Sequence, residues 1–318
     1  MKYSNAKPFL KWAGGKTQLL QQFENYYPKR LKEGNITKYI EPFLGGGAVF
    51  FNLQSKYNFE EIILNDINEE IILTYRIIQE KPEELIEFLS RLEEEYMQGD
   101  IEKKEEIFYK QREAFNNEKR IIDYYNYCNQ WIEHAGRMIF LNKTCFNGLY
   151  RQNRKGEYNV PFGKRKNVTI CDEDNLREVN KALQGVKLLI GDFEALTDSV
   201  DENTFVYIDP PYRPLTATSS FNDYSKEPFN DDSQRRLAEW VKLIRSKKAA
   251  FMLSNSDPTN TNPEDKFFED LYKDFTINKV MASRAINSKG EGRGKVNELL
   301  ITNEEYITDL IEDIAVTL

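Results

Sequence analysis

Histidine is nearly missing from this 318-residue chain, and His134 is its single copy. A Ser-His-Asp triad would therefore have one candidate base, and a zinc site built on several histidines has no material. Cysteine is sparse too. Cys128, Cys145 and Cys171 form an odd, scattered set without CxxC spacing. That argues against a disulfide framework and against a thiolate metal cage, so no metal is expected. No run approaches 18 apolar residues, and the opening MKYSNAKPFLKWAGGK has no apolar leader core. The expectation is a cytoplasmic protein without a membrane. Repeats and low-complexity tracts are absent as well.

What is present starts with a core. Hydrophobic residues are 40% of the chain, and 20 Phe with 18 Tyr exceed what packing demands. Such rings fill cores and also stack on bases. The net charge of −8 argues against a generic nucleic-acid binder, but the distribution is uneven. Glu60 to Glu106 is strongly acidic. From Asn142 to Ile170 the bases Lys143, Arg151, Arg154, Lys155, Lys164, Arg165 and Lys166 face Glu157 alone. A second basic group holds Arg284, Lys289, Arg293 and Lys295. Basic loops in an acidic chain repel one another unless a polyanion neutralises them.

The first part reads as α/β. KYIEPFLGGGAVFFNL is a short strand, a glycine loop and a helix; EEIILNDIN is a second strand and EEIILTYRIIQ a helix. From about Pro82 to Ala135 the pattern turns to charged amphipathic helix, as in PEELIEFLSRLEEEY. Strand signals return at VKLLIGDF, TFVYIDPPY and KAAFMLSNSD. A largely helical insertion therefore interrupts an α/β domain, and the expected division is 1–71 with 171–318 against 72–170. Near the end of the insertion, NRKG between two polar-aromatic runs predicts a β-hairpin turn.

Three strand ends carry chemistry. Gly45, Gly46 and Gly47 follow a strand and open a helix, where a backbone without Cβ admits a ligand. Phe50 stands where a GxGxxG fingerprint needs its third glycine, which weakens a dinucleotide reading and an NAD(P)-dependent dehydrogenase with it. Asp66 ends the next strand and suits ribose hydroxyls, or else caps the following helix. With the glycine loop, an adenosine-containing ligand is favoured. Asp192 and Phe193 end a third strand and would accept from an adenine amine and stack on its ring. WAGGKT fails as a P-loop because Leu10 occupies the required glycine position.

The stretch VYIDPPYRP ends an apolar strand in Asp209, Pro210, Pro211 and Tyr212. Proline cannot extend a central strand, so the strand stops to present something. An exocyclic amine on adenine is a poor nucleophile because its lone pair is delocalised. The Asp209 carboxylate and the Pro210 carbonyl, aimed at its hydrogens, would draw the nitrogen toward sp³ geometry. Tyr212 would stack on a base turned out of the duplex.

These motifs together resemble the Dam-type, alpha-group DNA adenine-N6 methyltransferases. PFLKWAGGKTQLL, EPFLGGGAVFFNL, LNDIN, GDF and YIDPPYRPL stand in that family's order, and similarity extends through NGLYRQNRKGEYNVPFG, LTATSSFNDY, LSNSD and KGEGRGKVNELL. The resemblance implies a Rossmann-like, S-adenosylmethionine-dependent sheet with an inserted helical, hairpin-bearing DNA-recognition domain. It implies methyl transfer to adenine N6 in duplex DNA, in GATC, by a monomer. It places Trp12, Lys16, Phe43, Gly45, Gly47, Asp66 and Asp209 at the cofactor. On DNA it places Lys11 at the first guanine, Arg151 as the guanine reader and Pro161 on a thymine methyl. Phe146, Asn147 and Leu149 would form the wedge, and Arg165 would touch the backbone. Phe146 and Arg165 stand where enteric members carry Tyr. A methyltransferase acting on RNA or on protein glutamine is the alternative; the basic hairpin and the motif order count against it. A DNA-binding protein that has lost catalysis is opposed by the complete Asp-Pro-Pro-Tyr.

Overall fold

Residues 38–41, 61–66, 204–208 and 250–256 are short segments with apolar centres, too short for typical helices, and their central residues are buried on both faces. The computed structural model describes residues 5–165, 167–213, 229–283 and 295–303. In chain order the elements are α1 (Leu20–Phe23), α2 (Lys29–Lys32), β1 (Lys38–Glu41), α3 (Ala48–Gln54), β2 (Glu61–Asp66), α4 (Glu69–Glu80), α5 (Pro82–Gln98), α6 (Ile101–Lys119) and α7 (Gln130–Thr144). They continue with α8 (Glu173–Ala182), β3 (Lys187–Ile190), β4 (Thr204–Ile208), α9 (Asp231–Ser246), β5 (Ala250–Ser256), α10 (Phe267–Leu271), β6 (Thr276–Ser283) and β7 (Lys295–Thr302).

The seven strands form one sheet in the order β3-β2-β1-β4-β5-β7-β6. The first five run parallel, whereas β7 pairs antiparallel with both β5 and β6. This is the expected Rossmann-like α/β sheet. The antiparallel strand β6 had no signature in the sequence reading, because its alternation TINKVMAS is broken by polar residues. Along β4, Phe205 and Tyr207 enter one core while Val206 and Ile208 enter the other. Each such buried side chain contributes about 1.5–3 kcal/mol relative to exposure.

The chain winds from β1 to β2 and β3 on one side, then returns to lay β4 and β5 on the other. The C-terminal ends of β1 and β4 thus meet at a topological switch, where open α/β sheets bind ligands. Helix α4 starts just after β2 and contacts both the sheet and α7, so the boundary at residue 72 falls within a helix of 69–80 that both parts share. Helices α5, α6 and α7 pack together, and their buried residues belong to the same core as one face of the sheet. His134 is fully buried there, stacked on Phe115 at 4.4 Å. The hairpin forms as its turn residues predict: Gly156 N–H donates to the Asn153 carbonyl at 2.8 Å, and Gln152 bridges Tyr158. Among the described residues no helix is long and apolar enough to cross a membrane.

Candidate active site

A cavity of ≈ 970 Å³ opens at the switch point, lined by the ends of β1, β2, β3 and β4 and by the loops 7–18 and 147–149. It gathers Lys11, Trp12, Lys16, Phe43, Gly45, Gly47, Asp66, Asp192, Phe193, Asp209, Pro210, Pro211 and Tyr212, with Asn147 and Leu149 from the inserted region. Arg151, Pro161, Arg165 and Phe146 lie outside its lining. Phe146 is 53% exposed, on the same segment that brings Asn147 to the cavity.

The glycine loop is shaped by sterics. Gly45 and Gly47 have φ of +48° and +68°, the left-handed region. A Cβ on Gly45 would lie 2.7 Å from Trp12 Cδ1, and one on Gly47 would lie 2.6 Å from the Tyr75 hydroxyl. The loop therefore keeps Trp12 pressed against the start of α3. The opposite face of this arrangement is Tyr150, stacked with Trp12 at 5.3 Å and 28°. Asp66 accepts from the N–H groups of Gly45 and Asn68, each at 2.9 Å. Asn68 is the residue that caps α4, accepting from Glu70 and Ile71 N–H. Capping thus does not explain Asp66. Burial raises its pKa from 3.8 to about 6, and the backbone donors Gly45, Asn68 and Ile67 partly oppose this.

At the end of β4, the Asp209 carboxylate accepts from Lys16 Nζ at 2.7 Å and from Ser254 Oγ at 3.0 Å. Burial pushes its pKa up, while the Lys16 charge and both hydrogen bonds pull it down; burial is the larger influence. Lys16 is itself buried, donates to the Gly14 carbonyl at 2.6 Å, and sits 4.8 Å from the centre of the Tyr212 ring. Tyr212 donates its hydroxyl to Glu298 Oε2 at 2.6 Å. Burial, Asp209 and Glu298 all hold that phenol well above its ordinary range, so it stays a donor. Glu41 lines the same cavity, buried, accepting from the Tyr39 hydroxyl at 2.6 Å.

At the far end, Phe193 is 2% exposed and packs on Phe43, Phe229 and Trp240. Arg236 lies over its ring at 4.7 Å and pairs with the Asp192 carboxylate, which also accepts from Glu194 N–H at 3.0 Å. The hairpin side is tied to the cavity by Asn142. Its side chain accepts from Lys11 N–H at 2.8 Å and donates to the carbonyls of Lys11 and Gly148, at 2.9 and 3.3 Å. Arg151 donates from Nε to Asn159 Oδ1 at 2.7 Å. Lys11 has its pKa lowered by burial and by the nearby Arg165 charge.

Sequence reasoning missed several of these residues. Ile67 is 55% exposed beside Asp66 in the cavity wall; its only signal was an apolar residue after a strand-ending acid. Glu298 had a clearer one, an acid directly before the apolar pair Leu299 and Leu300 in KVNELL. Ser254 had only its place in the LSNSD stretch and Arg236 had none, because their partners Asp209 and Asp192 are met only once β5 lies beside β4 and α9 packs on the segment after β3. Lys166, Pro214, the stretch LTATSSFNDY, and Arg284, Lys289 and Arg293 lie outside the described residues. Among the described residues no group of three or more His, Cys, Asp or Glu could hold a metal ion.

The model of the D12 class N6 adenine-specific DNA methyltransferase family matches residues 12–286. The chain is 51% identical over 298 residues to the type II methyltransferase M.MjaIII of Methanocaldococcus jannaschii, covering 93% of this chain and 99% of that one. It is 36% identical to the type II methyltransferase M1.LlaDCHI of Lactococcus lactis subsp. cremoris, over 94% and 96% of the two chains. It is 33% identical to the DNA adenine methylase of Haemophilus influenzae, over 92% of each. The chain belongs to the D12 class of N6 adenine-specific DNA methyltransferases.

Proposed function

We propose that this enzyme transfers a methyl group from S-adenosylmethionine to N6 of an adenine turned out of duplex DNA, within GATC. The observation that carries the reading is the placement of the Asp209–Tyr212 loop and the glycine loop in one cavity, which residues 147–149 also line. The cavity suits the cofactor chemically. It offers the acceptors Asp66 and Asp209 to hydroxyl and ammonium donors, and apolar walls at Ile67 and Phe43 to a purine. In this reading Trp12, Lys16, Phe43, Gly45, Gly47, Asp66 and Asp209 hold the cofactor, with Asp192 and Phe193 at its adenine. When bound, S-adenosylmethionine supplies an electrophilic methyl on a cationic sulfur.

The chain's own residues prepare the target amine. Asp209 and the Pro210 carbonyl accept hydrogen bonds from its two N–H groups, which localises the nitrogen lone pair. Lys16 and Ser254 keep the Asp209 carboxylate aimed, and Tyr212 offers a ring face held by its bond to Glu298. Holding both reactants in one water-poor cleft supplies much of the remaining acceleration. On the DNA side, the region 72–170 acts as the recognition unit. Arg151 reads guanine O6 and N7, the commonest specific contact. Lys11 meets the first guanine, Pro161 touches a thymine methyl and Arg165 the backbone. Phe146, Asn147 and Leu149 fill the gap left by the displaced base. The enzyme works as a monomer and needs no metal.

The test is transfer of labelled methyl from S-adenosylmethionine to a GATC duplex and to duplexes changed at each position, with single-stranded DNA and RNA beside them. Incorporation confined to GATC is the expected result. Incorporation spread over other adenine sites would discard the specificity while leaving the chemistry.

A further inference from the structure

Two consecutive prolines give the catalytic loop no N–H groups at Pro210 and Pro211, so the loop cannot be fixed by its own donors. Its carbonyls must be held from outside. The structure shows one such hold. Gln234, in the first turn of α9 and fully buried, donates from Nε2 to the Pro211 carbonyl at 3.1 Å. Its Oε1 accepts from Asn255 Nδ2 at 3.2 Å, and Asn255, also fully buried on β5, accepts at Oδ1 from Ser256 N–H at 2.9 Å.

The direction of this relay is forced from both ends. A carbonyl only accepts, so the Gln234 nitrogen must face Pro211. A backbone N–H only donates, so the Asn255 oxygen must face Ser256. The two amides then fit in one orientation only. The ring fixes φ of Pro211 near −65°, and a held carbonyl fixes its ψ. With both torsions set, the direction in which the chain enters Tyr212 and leaves Pro210 is set as well.

We propose that Gln234, braced by Asn255, is a positioning residue for methyl transfer. It locks the Pro211 peptide so that the Pro210 carbonyl and the Tyr212 ring meet the target adenine together. This rests on the reading that the Asp209–Tyr212 loop grips the target amine. The relay touches neither the cofactor acceptor Asp66 nor the hairpin, so its loss is expected in the transfer step and not in binding. Displacement of a reacting group by about 1 Å costs on the order of 100-fold in rate.

The experiment measures single-turnover methyl transfer at saturating S-adenosylmethionine and saturating duplex, with dissociation constants and thermal midpoints alongside. Gln234→Glu keeps the shape and replaces the donor by an acceptor facing a carbonyl. It is expected to lower the transfer rate on the order of 100-fold, with both dissociation constants at the parent level. Gln234→Met should lose less, and Asn255→Leu added to it should lose nothing further, since Asn255 acts through Gln234. A parent transfer rate in Gln234→Glu overturns the proposal. So does a rate loss matched by equal losses in binding, which would make the relay merely structural. If the Gln234 variants do not fold, Asn255→Ser leaves Gln234 in place but unbraced; a slower transfer supports the relay and a parent rate overturns it. Asp209→Ala runs beside them. If it transfers methyl normally, the loop reading itself fails; if it is inactive while the Gln234 series is silent, only the relay fails.

Discussion

Asp209 is pulled two ways. Burial disfavours its charge, whereas Lys16 and Ser254 favour it, and the balance still leans upward. Asp209→Ala leaves Lys16 buried without its carboxylate, so both catalysis and local packing suffer. The expected outcome is loss of turnover with duplex binding retained, read by methyl incorporation and a gel-shift titration. Asp66 offers a sharper handle because its pKa is lifted from 3.8 to about 6. The folded protein binds this proton more tightly than the unfolded chain, so the ionisation costs stability as pH rises from about 4 to 6. Cofactor binding runs the other way, since only the carboxylate accepts two ribose donors. Affinity for S-adenosylmethionine should climb as pH rises through about 6 and flatten above it, being ~10-fold weaker at pH 5. Asp66→Asn should erase that step. A flat calorimetric profile in the parent enzyme would remove Asp66 from the ribose.

Elements place these residues, and the glycine loop shows how narrowly. Gly47→Ala forces a side chain into φ +68° and against the Tyr75 hydroxyl. The backbone term alone costs roughly 1–2 kcal/mol. The Tyr75 hydroxyl is buried with no hydrogen-bond partner, so Tyr75→Phe should be neutral or stabilising. Combined with Gly47→Ala it should recover part of the loss in a urea melt. Full additivity of the two changes would contradict the clash. The hairpin makes a comparable prediction. Asn159 holds the Arg151 guanidinium from its Nε side. Arg151→Ala should relax discrimination at one guanine by about 1–3 kcal/mol. A uniform fall across all duplexes would make Arg151 a phosphate contact instead.

At the scale of the whole molecule, a chain of net charge −8 still brings like positive charges together. Lys11 and Arg165 are close enough to lower the Lys11 pKa, and Lys164 next to them is exposed at φ +51°. Concentrating like charge costs the free protein energy that a phosphate backbone returns. Lys164→Ala should weaken binding evenly across sequences and shrink the salt slope by about 1; an unchanged slope would place Lys164 away from phosphate. Helix α6 is also tied to the start of α4 and to the hairpin. Buried Glu70, at the start of α4, pairs with Lys119 of α6 and accepts from the Tyr124 hydroxyl at 3.1 Å. Lys119 reaches the Tyr150 hydroxyl at 3.3 Å, and Tyr150 stacks on Trp12.

Short-range order was legible in the residues themselves. Apolar runs ending in Asp66 or Asp209, the Gly45–Gly47 turn and the NRKG hairpin are local: sterics and turn chemistry decide them without help from distant chain. So was the reaction type, because Asp-Pro-Pro-Tyr after a buried strand has few other uses. Pairing across the chain was not legible. Lys16 meets Asp209 across 193 residues, Glu298 meets Tyr212 across 86, and Asn142 clamps Lys11 across 131. Those contacts exist only once β1 and β4 lie side by side and β7 folds back against β5. The same holds for the Gln234–Asn255 relay, which forms only once α9 packs against β5. A sequence states which groups a segment offers; burial and partner, which set their pKa values and directions, belong to the packed whole.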